Sequence, residues 1–313
     1  MKNKQSLSFQ FKNILSFILI TVIFTVLAQN IIHNWSVVQS FPWRFSGIDF
    51  ILLLLFLSPI YLKKGRSSFL VLRALGNRIG YIQSIRIWLL SNASRFIPGV
   101  VWQYGGRIYL SSGAGIPAGT TFTALLIELV FLITIVLIIV LTAFSFWNYP
   151  RDIKFFQIAV LILPIFIALI LLLNNQRVIT KIASIYKRIT GKEGEVTNFK
   201  FSIYWIPILL VSYLLQFIFA GSVLFFLVKL AVNLDWNLYA TFIGIFAGSW
   251  LIGYITVIAP AGLGVQEISI ATMLSLYMPF PVASMIAILF RVVLLLTEAI
   301  TILFVSTIFK RSP

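Results

Sequence analysis

Cysteine is absent from this chain, and histidine occurs once, as His33. These two scarcities exclude disulfides, thiolate catalysis, iron–sulfur clusters, Cys-ligated zinc and any multi-histidine metal centre. Acidic residues are also few, eight against 24 basic ones, for a net charge of +16. That leaves little material for general acid–base catalysis. No ATP-binding motif is present: the glycine-rich stretch 113–119 lacks nucleotide-binding spacing and strand context. Charged residues of both signs make up only 10% of the chain, whereas 60% is hydrophobic. Soluble domains do not have this composition; polytopic membrane proteins do.

What is abundant is long apolar sequence. Runs near the ~20 residues needed to cross a bilayer lie at Ile14–Ala28, Ile48–Leu62, Pro117–Trp147, Phe155–Leu173, Phe201–Leu230, Leu238–Ala259 and Pro281–Phe309, with a shorter one over 265–278. The expected fold is all-α: a polytopic integral membrane protein of about 7–8 transmembrane helices plus broken or re-entrant half-helices. It forms a single membrane domain over 1–313.

The basic residues fall mainly between the runs, so the positive-inside rule accounts for them better than nucleic acid does. Lys2, Lys4 and Lys12 precede the first run. Val26 and Ala28 could mark signal-peptide cleavage, but Ile31 and Ile32 extend the apolar surface and favour an uncleaved helix with a cytoplasmic N-terminus. His33 falls among Asn30, Asn34 and Trp35, a membrane–water interface composition. Lys63, Lys64, Arg66, Arg73, Arg78 and Arg86 follow without one acidic residue among them, and a second basic loop spans 174–200. Both loops belong on the cytoplasmic side of a cytoplasmic (inner) membrane. Residues 68–97 have amphipathic helical spacing, suited either to anchoring at that surface or to collecting anionic headgroups.

Two stretches interrupt the apolar pattern. The first, about 92–113, contains Asn92, Arg95, Pro98, Gly99, Trp102 and Arg107. The second, about 259–278, contains Pro260, Gly262, Gly264 and Glu267. Proline and glycine oppose a continuous helix, and broken backbone at membrane depth is tolerated only inside protein or beside a watery cavity. After each break a proline opens a long apolar run with embedded charge: Pro117 precedes Glu128, and Pro281 precedes Arg291 and Glu298. Corresponding broken segments in two halves point to a transporter site and would fit an inverted repeat. Arg291 and Glu298 lie seven residues apart, on one helix face but about 10 Å apart along it. Each is therefore expected to find partners on other helices, with Glu267 and Glu128 as candidates for Arg291. Simple alternation with a re-entrant 259–278 leaves the C-terminus outside. The basic pair Lys310 and Arg311 favours it inside, as would a break that completes a crossing as two half-helices.

The residues Asn92, Arg95-Phe96-Ile97-Pro98-Gly99, Trp102, Pro260-Ala261-Gly262-Leu263-Gly264-Val265-Gln266-Glu267, Arg291 and Glu298 resemble the flippase-like membrane domain of lysylphosphatidylglycerol synthases, in its stand-alone form without the soluble synthase domain. The resemblance covers roughly residues 10 to 309, and its most specific part is the second break. In that family the position of Ala261 is often glycine and that of Gln266 often arginine.

The resemblance implies a flippase-like transporter that moves a phosphate-bearing polar lipid between leaflets. The lipid would be an anionic phospholipid or a polyprenyl-phosphate sugar. Arg95, Arg107 and Arg291 would bind the headgroup, since a guanidinium fork suits phosphate. Glu128, Glu267 and Glu298 would pair with the arginines or exchange protons. Asn92, Pro98, Gly99, Trp102, Pro260, Gly262 and Gly264 would line the path and hinge. No catalytic residue, metal or cofactor is expected. Two alternative readings are a non-transporting membrane subunit of an envelope lipid or lipid-linked-sugar glycosylation pathway, and an intramembrane transferase. A homo-oligomer or an envelope-biosynthesis partner is compatible with the sequence.

Overall fold

The computed structural model describes residues 2–313 except 45, 98–101, 146–153, 173–174, 176, 179–180, 182–183, 185–200, 233, 257 and 309–313. Pro98 and Gly99 therefore lie outside the described residues, as do most of the second basic loop and the tail cations Lys310 and Arg311. Among the described residues there is no β-strand. The helices are α1 (Lys2–His33), α2 (Trp35–Ser40), α3 (Gly47–Ala74), α4 (Tyr81–Ala93), α5 (Trp102–Gly113), α6 (Ala118–Ser145), α7 (Lys154–Leu172), α8 (Trp205–Ala231), α9 (Tyr239–Ile255), α10 (Val265–Leu274) and α11 (Phe280–Ile308). Among the described residues five segments are long and apolar enough to span a bilayer: Ile14–His33, Ala118–Ala143, Trp205–Ala231, Trp236–Ile255 and Phe280–Thr307. The protein is an all-α, multi-pass membrane protein.

The chain divides into two compact units. One comprises Met1–Ser58, Arg95–Trp102 and Phe219–Ala299; the other comprises Pro59–Ser94, Gln103–Ile218 and Ile300–Pro313. Helices α3, α8 and α11 are divided between them.

In the first unit α9 is buried on nearly every side from Thr241 to Ser249, as expected of a helix that is apolar all round. Lipid tails give no hydrophobic reward for helix association, so close packing at small residues has to supply it. Gly221 of α8 is one such place: a Cβ there would stand 2.6 Å from the Ile243 backbone of α9. Helix α11 buries Val282, Ala283, Ile286, Ala287, Phe290 and Val293, a helical stripe.

The second break folds α10 back along α9. Gly253 near the end of α9 meets Gln266 at the start of α10. At the other end the Phe242 and Tyr277 rings are 5.7 Å apart. Those two contacts make the pair antiparallel. The sequence left open whether 259–278 re-enters or completes a crossing; the two helices form a hairpin, and its tip lies beside Arg291. Arg291 is eleven residues into α11, about 16 Å from its start.

In the second unit α3 continues through Pro59 rather than ending at Leu62. Proline removes the hydrogen bond that residue 59 would give the Leu55 carbonyl, and the Ser58 hydroxyl bonds that carbonyl instead at 2.9 Å. The helix stops at Gly76, whose φ is +82°. Gly76 N–H bonds the Arg73 carbonyl and Asn77 N–H the Leu72 carbonyl, a Schellman cap. The amphipathic helix expected over 68–97 is therefore two pieces, the end of α3 and then α4. The glycine-rich stretch 113–119 stops α5 in the same way: Gly115 has φ +80°, and Ile116 N–H bonds the Ser111 carbonyl at 3.0 Å. Tyr61, Ile85, Trp88, Leu89 and Val305 form a core in this unit, and a Cβ on Gly65 would lie 2.9 Å from the Ile85 backbone.

Candidate functional site

Three buried Arg–Glu pairs stand among the described residues, and the first unit holds two of them. At the second break α9 ends at Ile255 and Pro260–Gly262 forms a single 3-10 turn. The turn needs left-handed backbone at Ala261, Gly262 and Gly264, with φ of +54°, +66° and +82°. Glycine adopts this freely, whereas an alanine pays about 1–2 kcal/mol. A Cβ on Gly262 would also meet the Gly253 backbone at 3.1 Å, so here the turn and α9 touch backbone to backbone. Helix α1 closes over the turn: Ser16 donates its hydroxyl to the Ile258 carbonyl, and Ile23 packs against Gly264.

Arg291 reaches into this turn and ties it together. Its Nη1 donates to Gln266 Oε1 at 3.1 Å and its Nη2 to the Ala261 carbonyl at 3.0 Å. Its Nε is 3.0 Å from Glu267 Oε1, a charge contact outside hydrogen-bond alignment. The other oxygen, Glu267 Oε2, accepts the Gly264 N–H at 2.6 Å and so caps the start of α10. An arginine, a glutamate, an amide side chain and two backbone groups are thereby joined, the three side chains essentially buried.

The second pair in this unit is Arg95 with Glu298, at 2.6 Å. Arg95 stands on the 3-10 turn Ser94–Phe96 that leads into the first break, with its guanidinium over the Phe96 ring. Its side chain is 20% exposed, more than those of the other two arginines. Its Nε is buried and makes no hydrogen bond.

The second unit holds the third pair. Arg107 of α5 lies 2.7 Å from Glu128 of α6. Its guanidinium stacks over Trp88, and its Nε donates to Ser91 Oγ over a long 3.4 Å. Beside it, Gly106 of α5 faces Ser91 and Ser94, and an added Cβ would stand an ordinary 3.5 Å from Ser94 Oγ. Glu128 Oε1 is buried without a hydrogen-bond partner, and so is the Tyr213 hydroxyl on α8. Tyr213 stacks on Phe131 and lies within electrostatic reach of both Glu128 and Arg107.

The six charged residues singled out by sequence thus fall into three Arg–Glu pairs. Arg291 takes Glu267; the other candidate offered for it, Glu128, belongs to Arg107 instead. Arg291 and Glu298 each find a partner off their own helix. Asn92 is buried on α4 and Trp102 half-exposed at the start of α5; Pro260 and Gly262 are buried within the turn. Sequence reasoning did not find Ser91, Tyr213 or the Ala261 carbonyl. A tyrosine or serine in an apolar helix carries no spacing signal, and a backbone acceptor carries none at all.

The sequence model of the lysylphosphatidylglycerol synthase TM region matches residues 13–301. The chain belongs to that family. No curated protein matches it. Membership makes it a membrane protein of a lipid-related pathway, with membrane lipids as its natural partners. Ala261 has a left-handed φ of +54°, a conformation that glycine adopts more readily. Gln266 serves as an acceptor for Arg291.

Proposed function

We propose that this protein is a flippase-like transporter, not an enzyme, that carries a phosphate-bearing polar lipid between leaflets of the cytoplasmic membrane. The observation that carries the reading is the set of three Arg–Glu pairs buried beside broken helices. Ionisable groups inside membrane segments are costly and generally mark a substrate or ion path. A lipid phosphate crossing hydrocarbon needs a cation that can release its resident carboxylate, and a carboxylate that can then pair elsewhere or take a proton.

Arg95 and Arg107 fit the first role. Arg95 has an unused buried donor and partial exposure, and Arg107 faces a carboxylate with an unused oxygen. Glu128 and Glu298 fit the second. Arg291 and Glu267 act by holding the turn. Without an ATP site, proton exchange at the glutamates or passive equilibration drives the movement.

The hairpin suggests a topology. If α9 and α10 enter and leave on one face, then α1, α3, α6, α7, α8 and α11 make the full crossings. An even number puts both termini on the cytoplasmic side, with the basic segment 63–86, and reconciles a re-entrant 259–278 with the basic tail.

The test is leaflet exchange in vesicles of purified protein, using labelled anionic phospholipid and a labelled polyprenyl-phosphate sugar. Wild-type protein exchanges one of them, and Arg95→Gln abolishes the exchange. Folded wild-type protein that exchanges neither overturns the transporter reading in favour of a non-transporting subunit.

A further inference from the structure

In the second unit α5 and α6 form a hairpin closed by residues 114–117, with the Arg107–Glu128 pair between the two helices. So short a connection sets them antiparallel. Ser111 stands about one turn from Arg107 toward the closed end, and Thr121 about two turns from Glu128 toward the same end. Ser111 is the buried residue of α5, and it shares with Arg107 the face turned to α6.

The Ser111 and Thr121 hydroxyls and the Oε1 oxygen of Glu128 are buried without a hydrogen-bond partner, on residues no more than 7% exposed. Their neighbours on the same helices behave differently. Ser112 donates to the Ile108 carbonyl, and Thr123, Thr134 and Thr142 donate to the carbonyls of Gly119, Val130 and Ile138. A helical hydroxyl commonly disposes of its donor in this way. Ser111 and Thr121 hold theirs off their own backbone, and a buried hydroxyl so placed calls for another partner. Water fits a small polar site of this kind, where it makes about 2–4 hydrogen bonds.

The polar atoms also form a direction. Thr121, Ala124 and Glu128 lie on one face of α6, and Ala124 leaves little bulk between the two polar groups. Past the hydroxyls the turn is exposed at Gly113 and Gly115, where an added Cβ would meet nothing within 4 Å. On the far side of Glu128 the surroundings are aromatic, with Tyr213 stacked on Phe131. The open side of the carboxylate therefore faces the turn, which is cytoplasmic in the topology proposed above. The charged and titratable groups facing Glu128 are Arg107 of α5 and Tyr213 of α8. Helix α6 carries no other, and α7, packed along α6, carries only Lys154 at its start.

We propose that Ser111 and Thr121 hold ordered water that conducts protons between the cytoplasmic turn and Glu128. A proton enters at the turn, each water passes one on, and the last bonds to Oε1, which converts the carboxylate to a carboxylic acid. No electrons are exchanged. The use of this path rests on the transporter reading: a neutral Glu128 releases Arg107 to a lipid phosphate, and return of the proton to the turn restores the pair.

Time-resolved infrared spectroscopy of the full chain in detergent, after an acid jump, reads the carboxylic C=O band that Glu128→Gln removes. The wild type shows a fast rise of this band. Thr121→Val with Ser111→Ala loses the fast phase, and Thr121→Val alone, which keeps the shape of the side chain, slows it. Thr134→Val, beyond Glu128 and with its hydroxyl already bonded, leaves it unchanged. A double variant that protonates Glu128 at the wild-type rate overturns the proposal. So does a Thr134→Val variant slowed as much as the double one, or a wild type without the band. A raised unfolding midpoint at an unchanged rate also overturns it, since dry orphan hydroxyls are only a cost. Proton uptake is read without lipid: a wild type with the fast phase that exchanges no lipid keeps the proton path and loses the transporter reading.

Discussion

The two breaks use one plan with the charges exchanged. After the first, the short helix α5 carries the arginine, Arg107, and the long helix α6 the glutamate, Glu128. After the second, the short helix α10 carries the glutamate, Glu267, and the long helix α11 the arginine, Arg291. Glu128 is ten residues into its helix and Arg291 eleven. The environments differ more than the layout. Arg291 is bound to a backbone carbonyl and an amide side chain, and Glu267 caps a backbone N–H. Glu128 keeps a buried oxygen without a hydrogen bond, next to a tyrosine hydroxyl in the same state. A pair woven into the main chain holds a turn in place. A pair with spare acceptor capacity can exchange partners, which a transport site requires.

The largest expected effect comes from cutting the woven pair. Arg291→Ala leaves Glu267 charged and buried and costs about 3–5 kcal/mol, seen as a lower midpoint of thermal unfolding in detergent. Charge exchange sharpens the contrast. Glu267→Arg with Arg291→Glu remains about 3 kcal/mol below wild type, because the Ala261 carbonyl then lacks its donor and the Gly264 N–H its acceptor. Arg107→Glu with Glu128→Arg recovers to within about 1 kcal/mol, since only side chains are involved. The same unfolding measurement checks both.

Glycine substitutions give a middle-sized effect. Gly262→Ala forces a Cβ into left-handed backbone against Gly253 and costs about 1–3 kcal/mol. Gly106→Ala, in ordinary helix with 3.5 Å to the nearest foreign atom, is neutral or stabilises by up to about 1 kcal/mol. The smallest stability effect is that of Tyr213→Phe, within about 0.5 kcal/mol of wild type because the hydroxyl bonds nothing.

The breaks and the embedded charges were legible in the sequence because proline and glycine oppose a continuous helix, and arginine and glutamate are costly in hydrocarbon. Their presence therefore needs a reason. The pairing was legible only in part. Glu267 and Glu128 were equal candidates for Arg291, and only the fold of α10 against α9 decides between them. That hairpin was not legible either: its evidence is the Gly253–Gln266 approach and the Phe242–Tyr277 ring contact, neither of which leaves a periodicity. The run of α3 through Pro59 was hidden for a similar reason. A proline reads as a helix end until a neighbouring hydroxyl, here that of Ser58, is seen to take over the orphaned carbonyl.

The most direct test compares Glu128→Gln with Glu267→Gln, following thermal stability and leaflet exchange of labelled anionic phospholipid and polyprenyl-phosphate sugar in the same preparations. The account predicts that Glu128→Gln keeps a near-native unfolding midpoint and loses exchange, whereas Glu267→Gln unfolds at distinctly lower temperature. A Glu128→Gln protein that exchanges lipid at the wild-type rate, or a Glu267→Gln protein as stable as wild type, would contradict the division of labour between the two breaks.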